Sequence, residues 1–173
     1  MPQKEAISPE SLELLKSLQS DPVLEMFHLA GGTGLALHLG HRFSNDLGMF
    51  SEKGFDGFFL DDYLHGKEEN MSNYSLPDIA AMKLNVIAGS GTRSRDFIDL
   101  YFLLQHYSIE QLIKFYESKY ASKNVLYVIK SLNYFEDVDL SDWPMLIKEK
   151  DIDWYKVKNV IDKRCKSFIK KIR

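Results

Sequence analysis

The fold of the N-terminal part of this chain is decided by the stretch Leu29-Ala-Gly-Gly-Thr-Gly-Leu-Ala-Leu-His-Leu-Gly-His-Arg-Phe-Ser-Asn-Asp-Leu-Gly-Met-Phe-Ser51. The pattern predicts the end of a strand, a glycine turn, a short helix and a second strand that opens with Asp46. Backbone N–H groups and the Thr33 hydroxyl would then meet at a helix N-terminus, which suits the phosphates of a nucleoside triphosphate. Asp46 on the adjoining strand could hold the metal ion that accompanies those phosphates.

The composition of the chain is that of a globular protein. It has 173 residues, of which 45% are hydrophobic and 13% aromatic, enough for one well-packed domain or a domain with a helical extension. No apolar run approaches the roughly 18–20 residues that span a bilayer, and the N-terminus lacks the apolar core of a secretory signal. Cys165 is the only cysteine, which excludes an internal disulfide and a thiolate metal cluster. We therefore expect a cytoplasmic bacterial protein that makes no membrane contact.

Charge is unevenly distributed along the chain. Residues 1–147 carry 12 Lys and Arg against 21 Asp and Glu, whereas residues 148–173 carry 10 against 4. A basic C-terminal helix can bind phosphate backbones, or it can be a solvated helix face that complements an acidic body. The charge pattern leaves both interpretations open.

Helix and strand signals predict an α+β fold, with a small β-sheet in the N-terminal half and a mostly helical C-terminal half. Ser8 and Pro9 predict an N-cap and the first position of a helix, and Ser108 predicts a second N-cap. His38 is expected to be packed in the short helix after the glycine turn. The predicted strands cover 23–30 and 47–51. The predicted helices cover 35–39, 55–64, 77–87, 95–106, 109–118, 122–136 and 153–171, with a polar loop at 65–76.

Two motif groups resemble one family in wording and order. The first is the Gly-Gly-Thr turn with Asp46-Leu47-Gly48-Met49-Phe50, and the second is Asp78-Ile-Ala-Ala-Met-Lys83 followed by Arg95-Asp-Phe-Ile-Asp-Leu-Tyr-Phe-Leu-Leu104. Together they resemble the nucleotidyltransferases of the AbiEii/AbiGii toxin family, of which this chain would be a shortened, divergent member. The resemblance implies a nucleotidyltransferase-like α/β core over residues 1–76 and a helical part over residues 77–173 that packs on it as one compact unit.

The resemblance also implies a function. Members of the family are toxins of bacterial toxin–antitoxin and phage-defence systems that transfer a nucleotide from a nucleoside triphosphate to RNA or protein with Mg²⁺. GTP is one candidate donor, tRNA is one candidate acceptor, and a cognate antitoxin is the expected partner.

The metal site departs from the family pattern. The second strand in the family reads Asp-Leu-Asp, so that two carboxylates at i and i+2 face the same side and share metal ions. Gly48 replaces the second carboxylate here, and no strand carrying a third acid is evident between Phe50 and Pro77. Asp61 and Asp62 could replace a missing carboxylate, or they could be exposed polar residues of the helix predicted over 55–64. The alternative function is therefore a catalytically degenerate nucleotide-, RNA- or partner-binding protein on the same scaffold.

The resemblance assigns roles to individual residues, with Asp46 as the metal ligand. The implied catalytic residues are Asp46, Lys83 and Asp96. The implied nucleotide-binding residues are Gly31, Gly32, Thr33, Arg42, Ser44, Lys83, Arg95 and Asp99.

Structural alternatives exist for several of these residues. Thr33 can be the N-cap of the short helix, and Asp96 or Asp99 can pair with Lys83, Arg93 or Arg95 to fasten two helices. Asp78 is most simply a favourable charge in the first turn of a helix. His41 and Arg42 could reach a phosphate or RNA. The five histidines lack the spacing of a zinc site.

Overall fold

A computed structural model describes residues 2–54, 72–73, 75–121 and 124–172. The chain divides into two compact units, Met1–Tyr74 and Ser75–Arg173. The first unit combines helices with a small sheet and the second is helical, which confirms the predicted α+β class. The predicted division into parts 1–76 and 77–173 that pack as one unit stays a prediction.

The first unit opens with a helix whose start is set by local sequence. Helix α1 spans Pro9–Gln19, and the Ser8 side chain accepts a hydrogen bond from the Ser11 N–H at 3.1 Å, as the N-cap prediction requires. A 3₁₀ turn then covers Pro22–Leu24, because Asp21 accepts a hydrogen bond from the Val23 N–H at 2.9 Å. The strand predicted over 23–30 is consequently wrong at residues 23–27, and strand β1 covers only His28–Ala30.

A three-stranded sheet forms the centre of the first unit. Strand β2, Gly48–Phe50, pairs antiparallel with β1, and strand β3, Ser72–Asn73, pairs parallel with β1 on its other edge. The sequence analysis predicted a loop over residues 65–76, and β3 corrects it at residues 72–73, because a two-residue strand has no alternating pattern to detect. Residues 55–71, with the predicted helix 55–64 and most of the predicted loop, lie outside the described residues.

Helix α2 follows β1 without a connecting loop. It spans Gly31–Leu39, four residues longer at its start than predicted, and its N-cap position is Ala30. Gly31 adopts a φ of +66°, a glycine-favoured conformation that turns the chain from strand to helix in one residue. Thr33 therefore lies inside the first turn, and the interpretation of Thr33 as N-cap is wrong. His38 is exposed on this helix, not packed as expected.

Five helices build the second unit. They are α3 (Leu76–Gly89), α4 (Ser94–His106), α5 (Ile109–Tyr120), α6 (Val125–Leu132) and α7 (Trp154–Ile172). Ser108 is the N-cap of α5, as predicted, and the structure adds that it forms a capping box with Gln111. Helix α6 is shorter than the predicted range 122–136, because Asn124 accepts a hydrogen bond from the Tyr127 N–H at 3.2 Å and fixes the start. Within the described ranges, no helix combines the length and apolarity that a bilayer crossing requires.

Helix α4 is the most completely buried helix of the second unit among the described residues. Its residues 96–104 are buried without exception, and it contacts α3 on one side and α7 on another. The Phe97 ring meets the Phe135 ring at a centroid distance of 5.5 Å and the Trp154 ring at 5.7 Å. Such complete burial means that any charged side chain on α4 must have its partners inside the protein.

Candidate functional site

The first turn of α2 is tied to the segment that leads into β2. Thr33 is fully buried, and its hydroxyl donates to the backbone carbonyl of Asp46 at 2.6 Å. Its oxygen also lies 2.9 Å from the Ser44 hydroxyl. These bonds hold Asp46 beside the helix start, although Asp46 precedes β2 by two residues and does not open it as predicted. The Thr33 hydroxyl thus donates its hydrogen bond within the protein, and Asp46 is exposed to solvent.

Arg42 packs its guanidinium group directly on the backbone of α2. Arg42 is only 3% exposed, and a Cβ atom added at Gly32 would lie 2.4 Å from Arg42 Nη2. Arg42 Nη1 also donates to the carbonyl of Phe43 at 3.1 Å. Glycine at position 32 is therefore what allows a cation to lie against the N-terminal turn of a helix. Both the guanidinium and the helix N-terminus attract anions, and phosphate is the anion that suits them best.

The His41 side chain, next to Arg42 in the sequence, is fully buried. That it reaches a phosphate or RNA stays a prediction. The residues that the first unit brings together are those of the α2 turn and the approach to β2. They are Gly31, Gly32, Thr33, Arg42, Ser44 and Asp46.

The metal-ligand set of the family does not fit the described residues. Gly48 has no side chain at the position of the second carboxylate, and β3 carries Ser72 and Asn73, neither of which is acidic. In the described part of the chain, no three His, Cys, Asp or Glu side chains group as they would around a metal ion. The proposed substitutes Asp61 and Asp62 lie outside the described residues. Asp46 is thus the single carboxylate that the motif supplies, and a two-metal site needs more.

A buried cluster of charges joins α3 to α4 in the second unit. Lys83 Nζ lies 2.6 Å from Asp96 Oδ1 and 2.7 Å from Asp99 Oδ2, and all three side chains are at most 7% exposed. Arg93 Nε contacts the second oxygen of Asp96 at 3.0 Å. Asp96 and Asp99 share one face of α4, as their i, i+3 spacing predicts. The structure therefore shows the pairing that fastens the two helices.

The same cluster limits what Lys83 can do for a ligand. An ammonium group has three donors, and two of those on Lys83 are directed at carboxylates. The two aspartates balance Lys83 and Arg93, so the four charges cancel within the cluster. Arg93 is the part that reaches solvent, with its side chain 49% exposed. The geometry makes Lys83 a fixed, internally paired cation.

Arg95 takes part in a second network at the start of α4. Its Nε lies 3.1 Å from Asp142 Oδ2, while the backbone N–H and hydroxyl of Ser94 donate to Asp142 Oδ1 at 3.1 and 2.6 Å. Asp139 pairs with this end of α4 through its main chain, in an isolated bridge with Arg93. Asp142 thus caps α4 from 48 residues away. The sequence analysis missed it, because no local signal links Asp142 to Ser94.

Asp78 has the structural role that was predicted for it. Its carboxylate accepts hydrogen bonds from the Ser75 hydroxyl and, at 3.2 Å, from Lys119 Nζ. Burial alone would raise the pKa of Asp78, but the bonds from Ser75 and Lys119 outweigh it and hold the pKa below its usual value. Asp78 therefore stabilises the first turn of α3 and links it to α5.

Comparisons with known proteins identify the family. The family model for the nucleotidyl transferase AbiEii toxin of type IV toxin–antitoxin systems matches residues 55–156, more than half of the chain. An uncharacterized protein of Aquifex aeolicus (strain VF5) is 30% identical over 174 residues, which cover 76% of this chain and 84% of the relative. No solved structure gives a significant match. The matched range contains Lys83, Asp96 and Asp99, and it begins after the stretch 29–51. The chain belongs to the AbiEii nucleotidyltransferase toxin family.

Proposed function

We propose that this protein is a nucleotide-binding member of the AbiEii family, which holds the phosphates of a nucleoside triphosphate at the N-terminal turn of α2. The observation that carries the proposal is the packing of the buried Arg42 guanidinium on Gly32. A guanidinium beside helix N–H groups places two positive electrostatic contributions together, and both favour a phosphate at this turn. Ser44 supplies a further hydroxyl at the same turn.

The proposal assigns binding without metal-assisted transfer. Transfer of a nucleotide in this family depends on carboxylates that share metal ions, and Gly48 removes one of them. Asp46 alone would hold Mg²⁺ weakly, as one carboxylate among water ligands. Binding through Arg42 and backbone N–H groups has no such requirement.

The second candidate function is transfer of a nucleotide, with GTP as a candidate donor, to RNA such as tRNA or to a protein. Family membership and the exposed Asp46 beside the α2 turn favour it. A further acid, such as Asp61 or Asp62, would have to complete the Mg²⁺ site. In both cases the family implies a cytoplasmic protein with a cognate antitoxin as partner.

Calorimetry of GTP and ATP binding to the full chain, with Mg²⁺ and with EDTA, tests the first proposal. We expect binding that persists in EDTA and becomes at least about tenfold weaker in Gly32→Val, because the new side chain displaces the Arg42 guanidinium. Gly54→Val is the matched control, since a Cβ at Gly54 has no heavy atom within 4 Å. A wild-type protein that binds neither nucleotide, or a Gly32→Val variant that binds as tightly as wild type, would overturn the proposal.

A transfer assay separates the two candidates. Labelled nucleoside triphosphates are incubated with Mg²⁺ and total tRNA, in parallel with Asp46→Ala. Incorporation that disappears in Asp46→Ala would establish the second candidate. Binding without incorporation supports the first.

A further inference from the structure

A groove lies in the second unit between the C-terminal end of α3 and helix α6. Its volume is about 380 Å³, which falls in the range of small-ligand sites. The residues that matter for its chemistry are Ala88, Gly89, Tyr127, Lys130, Tyr134 and Asp137. We call it the tyrosine groove. Neither the family motifs nor the cluster around Lys83 uses these residues.

Both tyrosines have accessible rings, and Tyr127 is also held in place. The Tyr127 hydroxyl donates to the carbonyl of Ala88 at 2.7 Å, and Tyr127 is 52% exposed. Tyr134 is 49% exposed, and the negative charge of Asp137 beside it raises the pKa of its phenol. Because the Tyr127 ring is anchored through its hydroxyl group, it loses little further freedom when a planar ligand stacks on it.

The polar groups of the groove comprise a cation and several hydrogen-bond acceptors. Lys130 is an exposed cation, and no Asp or Glu of the described residues lies within ion-pair distance of it. Acceptors are supplied by the Asp137 carboxylate and by carbonyl groups at the C-terminal end of α3. The lining thus offers stacking surfaces, one cation for an anion and several acceptors for N–H donors.

We propose that the tyrosine groove binds an unpaired nucleobase together with its phosphate. The base stacks on the tyrosine rings, Lys130 contacts the phosphate, and the acceptors contact amino groups on the base edge. Adenine is therefore preferred to uracil, which has carbonyl oxygens where adenine has an amino group and which stacks less well. This site is separate from the α2 turn and does not depend on the function proposed for that turn.

Gly89 provides a way to close the groove without disturbing the core. A Cβ built on Gly89 has no heavy atom within 4 Å, and its backbone is in an ordinary conformation. Leucine at this position would occupy space that the nucleobase needs. Gly91, which also lines the groove, has a φ of +46° and is unsuitable for substitution.

Fluorescence anisotropy with 5′-fluorescein oligoadenylate and oligouridylate on the full chain tests the proposal. We expect tighter binding of oligoadenylate, and a loss of about tenfold in Gly89→Leu and in Tyr134→Ala, the size of one lost stacking contact. Lys130→Gln should weaken binding less. Tyr155→Ala and Lys163→Gln are matched controls on α7, and Tyr155 is 72% exposed.

The possible outcomes of the experiment distinguish a free nucleotide from a nucleotide within a strand. Competition by AMP would identify a free nucleotide as a ligand, and binding of oligoadenylate without such competition would identify a nucleotide within a strand. The proposal fails if wild type binds neither probe, if Gly89→Leu and Tyr134→Ala bind like wild type, or if Tyr155→Ala weakens binding equally.

Discussion

Lys83 and Asp96 form a buried ion pair between α3 and α4, with Lys83 Nζ 2.6 Å from Asp96 Oδ1. Asp99 holds the same ammonium group from one turn further along α4, at 2.7 Å. Burial removes charges from water at a cost in free energy. Opposite charges that lie together offset this cost, whereas a buried charge that has lost its partner does not. The residues that mark the family are therefore also structural residues of the second unit.

Substitution of Lys83 should destabilise the protein strongly. Lys83→Met keeps the length of the side chain but leaves Asp96 and Asp99 as adjacent buried carboxylates without the cation between them. We expect a loss of about 3–5 kcal/mol in the free energy of unfolding, measured by urea denaturation. The double variant Lys83→Met with Asp99→Asn should recover part of this loss, because it removes the repulsion between the two carboxylates.

Lys119→Met is the matched control for that prediction. Lys119 pairs with Asp78 at 3.2 Å, and the Asp78 side chain is 39% exposed, so solvent screens the pair. We expect a loss below about 1 kcal/mol. Equal losses in Lys83→Met and Lys119→Met would show that burial of the Lys83 cluster has no energetic consequence.

Asp142 should stabilise α4 as a cap supplied from a distant part of the chain. Asp142→Ala removes the acceptor for the Ser94 hydroxyl, one partner of Arg95, and the nearer of two acceptors for the Ser94 N–H, whose other acceptor is the Asp139 carbonyl at 3.3 Å. We expect a loss of about 1–2 kcal/mol, typical of a lost N-cap, in urea denaturation. Asp151→Ala, at an exposed position, should be neutral within about 0.5 kcal/mol. A neutral Asp142→Ala would mean that water replaces the cap.

Particular residues show why parts of the structure were predictable and others were not. Ser8 and Ser108 cap their helices through bonds to residues three positions away, so the signal is contained in the local sequence. Ser94 and Asp142 are 48 residues apart, and only tertiary structure brings them together. The sequence left Lys83, Arg93 and Arg95 open as partners of Asp96. The i, i+3 spacing places Asp96 and Asp99 on one face of a helix, but it does not show which cation they meet.

The start of α2 shows a second reason why the prediction from sequence was incomplete. Glycine is a poor helix former, so Gly31 and Gly32 were predicted as a turn. In the structure they open the helix, since Gly31 can adopt a positive φ and Gly32 accommodates Arg42. The first reason is a backbone conformation and the second is a tertiary contact, and neither is visible from intrinsic helix propensity.

Glu149 should contribute a pH-dependent part of the stability. It accepts hydrogen bonds from Lys156, Tyr101 and Gln105 at 2.7–2.8 Å, and the Lys156 bond is the largest cause of its lowered pKa, against which burial acts. The pKa of Glu149 is lower in the folded protein than in the unfolded chain. Glu149 therefore stabilises the fold at pH values above the unfolded pKa near 4.5, and this stabilisation is lost as the pH falls through the folded pKa.

The variant Glu149→Gln tests this contribution through unfolding measured in urea over a series of pH values. The free-energy gap to wild type should be largest near neutral pH, below about 1 kcal/mol for a solvent-exposed group, and should shrink in acid. A gap that stays constant or widens as the pH falls would contradict the prediction.

Cys165 should be unreactive in the native protein. Its side chain is fully buried, and burial, with a smaller effect of Asp162, raises the pKa of the thiol to about 12. We expect no reaction with Ellman's reagent at about pH 8 and complete reaction after denaturation. Since the unfolded thiol ionises first, stability should also fall as the pH rises from 9.0 towards 12. Rapid native reaction would show that α7 opens readily.

Gly48→Asp should restore part of the family's metal site. The new Cβ would lie 3.2 Å from the Phe50 ring, whose residue is 43% exposed and free to shift outward. The introduced carboxylate would then stand at i+2 from Asp46, as in the family motif. Calorimetry should show Mg²⁺ affinity raised about tenfold, or roughly 1.4 kcal/mol, in Gly48→Asp but not in the uncharged control Gly48→Asn. Unchanged affinity in a folded Gly48→Asp protein would mean that the site lacks more than one side chain. A rise in affinity with new transfer activity would mean that this single glycine separates a binding protein from an enzyme.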